Sequence, residues 1–311
     1  MKPVRKTLLK ALSRVNLNIK KNYKLIRSVQ KIVNPPIARN CETYDEYISG
    51  PEGRFIPIRW FIPNDITPSG IILFFHGGGW ISGDVDSYTI ACNELAIKSK
   101  KKVISVDYRL APEFPFPHGL MDCYHVAHHF YYNANKYQIN KEDFVLMGDS
   151  AGGNLVAALS LMGRNFSTFK FKTQVLIYPV TYFYHGPGSP FASIMENGED
   201  YLLTSEKIQD YMDLYVKDPE ERLIPYVSPL LSSNHENLPD TLVISSELDP
   251  LRDEGEAYGL LLREAGNRVK IFRIKNALHG FLTRGGSDEE RQTFWMLLSD
   301  FLENKESKEL L

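Results

Sequence analysis

The segment FVLMGDSAGGNLVAALSLM (residues 144–162) joins an apolar run to a helical pattern through a turn holding three glycines and one serine. A strand that feeds so sharply into a helix forces the serine into a strained backbone conformation. It also crowds the residues two before and two after it, so glycine is needed at positions 148 and 152. Ser150 then stands at a helix N-terminus, whose free amides and dipole favour nearby negative charge. A lone serine is a poor nucleophile at neutral pH, so other parts of the chain must supply what activates it.

The same strand-then-helix pattern repeats along the chain. GIILFF (70–75), KVISVDY (102–108), DFVLMG (143–148), TQVLIYP (173–179), DTLVISSE (240–247) and RVKIFRI (268–274) are short, continuous apolar runs of the kind a buried strand needs. Helical patterns lie near 87–100, 119–137, 151–163, 252–265 and 288–303. The alternation predicts a mostly parallel sheet with helices on both faces. RFIPIRWFIP (54–63) reads as sheet-edge strand, because its prolines would interrupt a central ladder. Residues 181–228 break the alternation with two helical stretches and no strand, as an insertion over one end of the sheet would.

Charge is unevenly spread. Residues 1–31 carry ten Lys or Arg and no acid, and a net charge of −2 leaves −12 for the rest. That balance argues against a nucleic-acid partner. Apolar residues between those cations, at helical spacing from Val4 to Ile32, predict one or two amphipathic helices. Packing on the main body is favoured over adhesion to an anionic membrane, since the stripe lacks Trp and Phe. Lys10 and Arg14 interrupt any signal-peptide core, and no run is long enough to span a membrane. Cys41, Cys92 and Cys123 are too few and too dispersed for a disulfide framework or a zinc site. The expectation is a cytoplasmic chain with reduced thiols and no metal or other cofactor.

Eight histidines compete as the base for Ser150. His125, His128 and His129 share a predicted helix without carboxylate or thiol partners at ligand spacing, so they read as packing or surface residues. His118 and His185 lie beside prolines in loops, and His235 in a polar loop. His279, in KNALHGF, lies just past the end of the strand 268–274, at the sheet edge where strand C-termini gather and sites form. For the acid, Asp249 follows the strand 240–247 in an Asp-Pro turn, with Glu247 and Asp253 as rivals. The order Ser150, Asp249, His279 suits a serine activated by an imidazole that a carboxylate orients.

Attack by such a serine creates an oxyanion. FFHGGGWISGD (74–84) places three glycines after a strand, so Gly78 and Gly79, with Ala151, are the candidate amide donors. Each such donor is typically worth roughly 3 kcal/mol in the transition state. No phosphate-loop pattern follows these glycines. His76 is read as a brace for the loop rather than a base.

HGGGW (76–80), YRLAPEFPFP (108–117), GDSAGGN (148–154), DPLRDEG (249–255) and HGF (279–281) together resemble the hormone-sensitive-lipase-type carboxylesterases of the α/β-hydrolase superfamily, over residues 40–303. The resemblance implies an α/β-hydrolase fold and a cofactor-free serine esterase acting on small-molecule esters. It also implies a helical cap, which ENGEDYLLTSEKIQDYMDLYV (196–216) matches. The expected organisation is an N-terminal cap segment at 1–45, core at 46–180, cap insertion at 181–228 and core at 229–311. Trp80, Phe183, Tyr184 and Phe191 are the candidate pocket walls. Short- to medium-chain acyl esters are the expected substrates. An amidase or acyltransferase sharing the acyl-enzyme, a non-catalytic ligand receptor on the same fold and a membrane-bound lipase are the rival readings. An exposed edge strand at 268–274 leaves a homodimer open.

Overall fold

The computed structural model describes residues 18–50, 53–66, 70–283 and 286–304. Eight strands form one sheet in the order β1-β2-β4-β3-β5-β6-β7-β8. The strands are β1 (Cys41–Ser49), β2 (Phe55–Pro63), β3 (Ile71–Phe75), β4 (Lys102–Val106), β5 (Phe144–Asp149), β6 (Thr173–Ile177), β7 (Asp240–Leu248) and β8 (Val269–Leu278). From β4 to β8 all neighbours are parallel, while β2 runs antiparallel to both β1 and β4.

Eight α-helices accompany the sheet among the described residues: α1 (Ile19–Val33), α2 (Thr89–Ser99), α3 (His118–Tyr132), α4 (Ala151–Asn165), α5 (Ala192–Asn197), α6 (Ser205–Tyr215), α7 (Arg252–Glu264) and α8 (Asp288–Leu302). None of them is long and apolar enough to cross a membrane. The central strands feed two cores by alternation. Ile71, Leu73, Phe75, Leu146, Leu176 and Val243 face one side with α3, α4 and α7. Ile72, Phe74, Val145, Met147, Val175 and Leu242 face the other with α2 and α8. Burial on both faces is why these strands are apolar throughout rather than alternating with polar residues.

Two expectations need correction at the sheet's first edge. RFIPIRWFIP is not the edge: β2 is covered by β1, whose ladder runs from Cys41↔Pro63 to Ser49↔Phe55. The β2 ladder with β4 spans only Ile58 to Phe61, so it stops short of both Pro57 and Pro63. The expected boundary at 45/46 consequently falls inside β1, and the sheet begins at Cys41. The other edge is β8, as the sequence suggested.

The expected N-terminal helix is present from Ile19, capped by the Asn18 side chain, which accepts from the Lys21 amide at 3.0 Å. The portion before residue 18 lies outside the described residues. Residues 181–228 hold α5 and α6 and no strand. Lys20 on α1 pairs with Asp210 and Asp213 on α6, at 2.9 and 2.8 Å.

Candidate active site

The register of the sheet brings four loops to one rim. Phe75 pairs with Gly148, so the glycine loop after β3 lies beside Ser150 after β5. Leu248 pairs with Leu278, so the residues that follow, Asp249 and His279, emerge side by side.

Ser150 adopts φ 54°, ψ −118°, a left-handed conformation that non-glycine residues rarely hold. Its amide donates to the Ile177 carbonyl at 2.8 Å, which pins the turn to the neighbouring strand. A Cβ at 148 would run into the Gly152 backbone and come within 2.8 Å of the Phe75 carbonyl oxygen. One at 152 would strike that same oxygen and lie 2.7 Å from the carbonyl oxygen of His76. The two glycines thus serve the approach of β3 as well as the turn itself.

His279 Nε2 lies 2.9 Å from Ser150 Oγ, and its Nδ1 lies 2.7 Å from Asp249 Oδ2. The other Asp249 oxygen accepts from the Leu251 amide at 2.9 Å, and the carboxylate is fully buried. The rivals are occupied elsewhere. Glu247 accepts from the Asn276 amide, while Asp253 accepts from the Ser193 amide and pairs with Arg252. Asn197 on α5 donates to the carbonyls of Glu247 and Asp249, tying the insertion to the acid loop.

Gly78 and Gly79 turn with φ of 113° and 62° and line the cleft with Ser150. The Gly78 carbonyl points away into the loop, where it accepts from the amides of Ile81 and Ser82 at 3.2 and 3.1 Å. Ala151 is the first residue of α4, where an amide has no acceptor within its own helix. The loop is held by a residue the sequence reading passed over. Asp149 is buried, and its Oδ1 accepts from the Gly77 amide at 2.7 Å. Its Oδ2 takes hydrogen bonds from the hydroxyls of Tyr88 and Tyr178, at 3.1 and 3.4 Å. Because Asp149 precedes Ser150, one dipeptide carries the hydroxyl and anchors the glycine loop. Its only sequence signal was a carboxylate where a strand should be apolar.

His76 has its Nδ1 2.8 Å from the Gly77 carbonyl oxygen and its ring stacked on Tyr108 at 4.3 Å. Burial pushes its imidazole down to about 4. Since the unfolded residue titrates near the ordinary value, its share of stability is full above that value. It is lost as pH falls toward 4, by up to about 3 kcal/mol. Asp107, after β4, has the opposite sign over nearly the same window: burial, then the nearby Asp84 charge, pushes its carboxyl up to about 6. Its extra stability appears as pH falls below 6 and is lost as pH rises through it. Asp107→Asn removes that compensation. Its urea midpoint should fall more than the wild type's between about pH 7 and about pH 5. An equal or smaller fall would contradict this sign.

The free space over Ser150 is small, about 40 Å³. Trp80 lines it, with its ring stacked flat on Tyr215 at 4.4 Å. Phe183, Tyr184 and Phe191 do not. Phe183 and Phe191 pack on Tyr182, at 4.6 and 5.3 Å, and the Tyr184 hydroxyl donates to the Pro187 carbonyl. The walls are instead Leu203, Ile208 and Tyr211 from the insertion, with Leu251 from the acid loop. Sequence signals for these were weak, because the amphipathic pattern of α6 marks a buried face without saying what it covers. A larger cavity of about 420 Å³, bordered by Tyr132, Arg164 and Lys170, lies at the opposite end of α4 from Ser150. Among the described residues no group of three or more His, Cys, Asp or Glu is arranged to hold a metal ion. The helix histidines make aromatic contacts, His128 with Tyr124 and Tyr132.

A family model described as alpha/beta hydrolase fold matches residues 72–283, from β3 through the loop after His279. The chain belongs to the α/β-hydrolase fold family. This hydrolase is 36% identical over 243 residues to an arylesterase of Saccharolobus solfataricus, covering 78% of this chain and 77% of the relative. It is 32% identical over 243 residues to an ethyl acetate hydrolase of Pseudomonas putida, covering 77% and 75% of the two chains. Among solved structures, an arylesterase superposes with a TM-score of 0.83 at 30% identity, over 98% of this chain and 99% of that one. A hyperthermophilic esterase from Pyrobaculum calidifontis gives a TM-score of 0.83 at 33% identity, covering 98% of both.

Proposed function

We propose that the hydrolase is a serine carboxylesterase in which Ser150 is the nucleophile, His279 the general base and acid, and Asp249 the group that orients it. The observation that carries this reading is the unbroken relay from Ser150 Oγ to His279 Nε2 at 2.9 Å and from Nδ1 to Asp249 at 2.7 Å. His279 takes the hydroxyl proton as Oγ attacks the ester carbonyl. The amides of Gly78, Gly79 and Ala151 receive the charge that develops on the carbonyl oxygen. The tetrahedral adduct collapses as His279 returns the proton to the leaving alcohol, and an acyl-enzyme remains on Ser150. Water, deprotonated by the same imidazole, then releases the acid.

The named relatives, an arylesterase and an ethyl acetate hydrolase, support esters as the substrate class. Helix α1 and residues 181–228 form the cap, and the free space of about 40 Å³ beneath it favours short acyl groups. On a p-nitrophenyl ester series, kcat/KM for acetyl and butyryl esters should exceed that for the dodecanoyl ester by at least about tenfold, the usual scale for a few misplaced methylenes. A value that rises with chain length would refute the small acyl site. Turnover of amides with none of esters would refute the esterase itself.

A further inference from the structure

Helix α1 has two apolar faces, and only one of them meets the protein. Ile19, Tyr23 and Ile26 pack against the main core. The side next to them is fixed by polar contacts. Arg27 donates to the carbonyls of Ile81 and Ala111, at 2.6 and 2.8 Å, and forks onto Glu113. Lys20 pairs with Asp210 and Asp213, and Lys31 with Asp84 at 3.0 Å. The helix therefore cannot roll to bury its other face.

That other face carries Leu25, Val29, Ile32 and Val33, which are 53, 49, 79 and 67% exposed. Val29 stands four residues after Leu25, three before Ile32 and four before Val33, which places the four on one side of the helix, a continuous stripe rather than scattered exposure. Lys21 and Lys24 are exposed on the same helix. They belong to the 31-residue stretch with ten cations and no acid.

We infer that the outward face of α1 docks on an anionic lipid surface. Lateral attachment of this kind needs buried apolar area and attraction to acidic headgroups, and a single weak signal does not hold. Here the stripe supplies the first, and the exposed Lys21 and Lys24, beside the ion pairs that occupy Lys20, Arg27 and Lys31, supply the second. The charge separation argues for lipid over a second copy of the chain, since pairing this face with itself would oppose two like-charged segments. The rest of the chain, at −12, is repelled by the same surface, so the molecule is oriented as it docks. Docking also has a consequence for the cleft. Helix α1 lies against α6, whose Ile208 and Tyr211 line the space over Ser150. Attachment through α1 therefore holds the cap beside the bilayer, where esters dissolved in lipid concentrate.

The test is co-sedimentation of the full chain with vesicles of phosphatidylcholine containing about one-third phosphatidylglycerol, at low and high salt. Wild type should pellet with these vesicles at low salt and remain in solution with pure phosphatidylcholine. The double change Leu25→Asp and Ile32→Asp should weaken binding by roughly tenfold or more. It should leave the thermal midpoint and turnover of a soluble ester unchanged, which keeps this result separate from the esterase reading. Wild type that ignores anionic vesicles overturns the inference, as does a double variant that pellets like wild type. A dimer by light scattering that the double change dissociates, without vesicle binding, assigns the face to a second copy and overturns it too.

Discussion

Ser150→Ala should leave a folded protein whose ester turnover falls by about ten-thousandfold or more. Alanine keeps the Cβ and loses only Oγ, so the contacts that pin the turn survive. The Ile177 carbonyl still receives the residue-150 amide, and the Ser150 carbonyl still accepts from Asn154 and Val180. The φ of 54° is no worse for alanine than for serine. What disappears is the atom 2.9 Å from His279 Nε2, and with it the acyl-enzyme. Some rate over water should persist, because the change leaves in place the amides of the glycine loop and of residue 151, the proposed donors to the carbonyl oxygen. The checks are single-turnover kinetics, covalent labelling by a fluorophosphonate and the thermal midpoint. Turnover near wild type in a variant that no longer labels would remove Ser150 from the mechanism.

The largest stability effect should come from Gly152→Ala. Its new methyl would meet two main-chain carbonyl oxygens, those of Phe75 and His76, and neither belongs to a side chain that can swing away. Relief requires shifting the end of β3 or the start of α4. Overpacking of that kind costs about 3 kcal/mol or more when backbone must move. Activity should fall as well, since His76 opens the loop that carries Gly78 and Gly79. Gly153→Ala is the control. A methyl there would lie 3.0 Å from the Pro179 Cβ and 3.2 Å from the Gly148 carbonyl oxygen, a milder contact. Alanine's better helix propensity, about 1 kcal/mol, partly offsets it. Chemical denaturation of both variants decides: Gly152→Ala no less stable than Gly153→Ala would contradict the steric account of this turn.

Residues 181–228 and the first sheet edge show where a sequence stops informing. β1 (CETYDEYIS) escaped notice because most of its side chains are exposed, so it carries neither an apolar run nor a clean alternation. The prolines of β2 point to a sheet edge, yet the ladder with β4 simply ends before reaching them. The aromatic residues Phe183, Tyr184 and Phe191 read from sequence as pocket walls. Tyr182, Phe183 and Phe191 pack among themselves, and α6 turns Ile208 and Tyr211 over the serine instead. Loop aromatics and helix stripes announce that they will be buried, not against what.

The central strands, the glycine-flanked turn at Ser150 and the chain order of serine, acid and histidine were legible in sequence alone. Each follows from short-range rules: periodicity, steric need for glycine, and position at a strand's end. Which carboxylate faces the imidazole was settled by the Leu248↔Leu278 register, since Glu247 and Asp253 differ from Asp249 by only a few residues. The anchoring of the glycine loop by Asp149, the size of the cleft and the bare outer face of α1 depend on contacts between segments far apart in the chain. Local patterns say which residues will be buried, but only the packed sheet and the helices over it decide what each one meets.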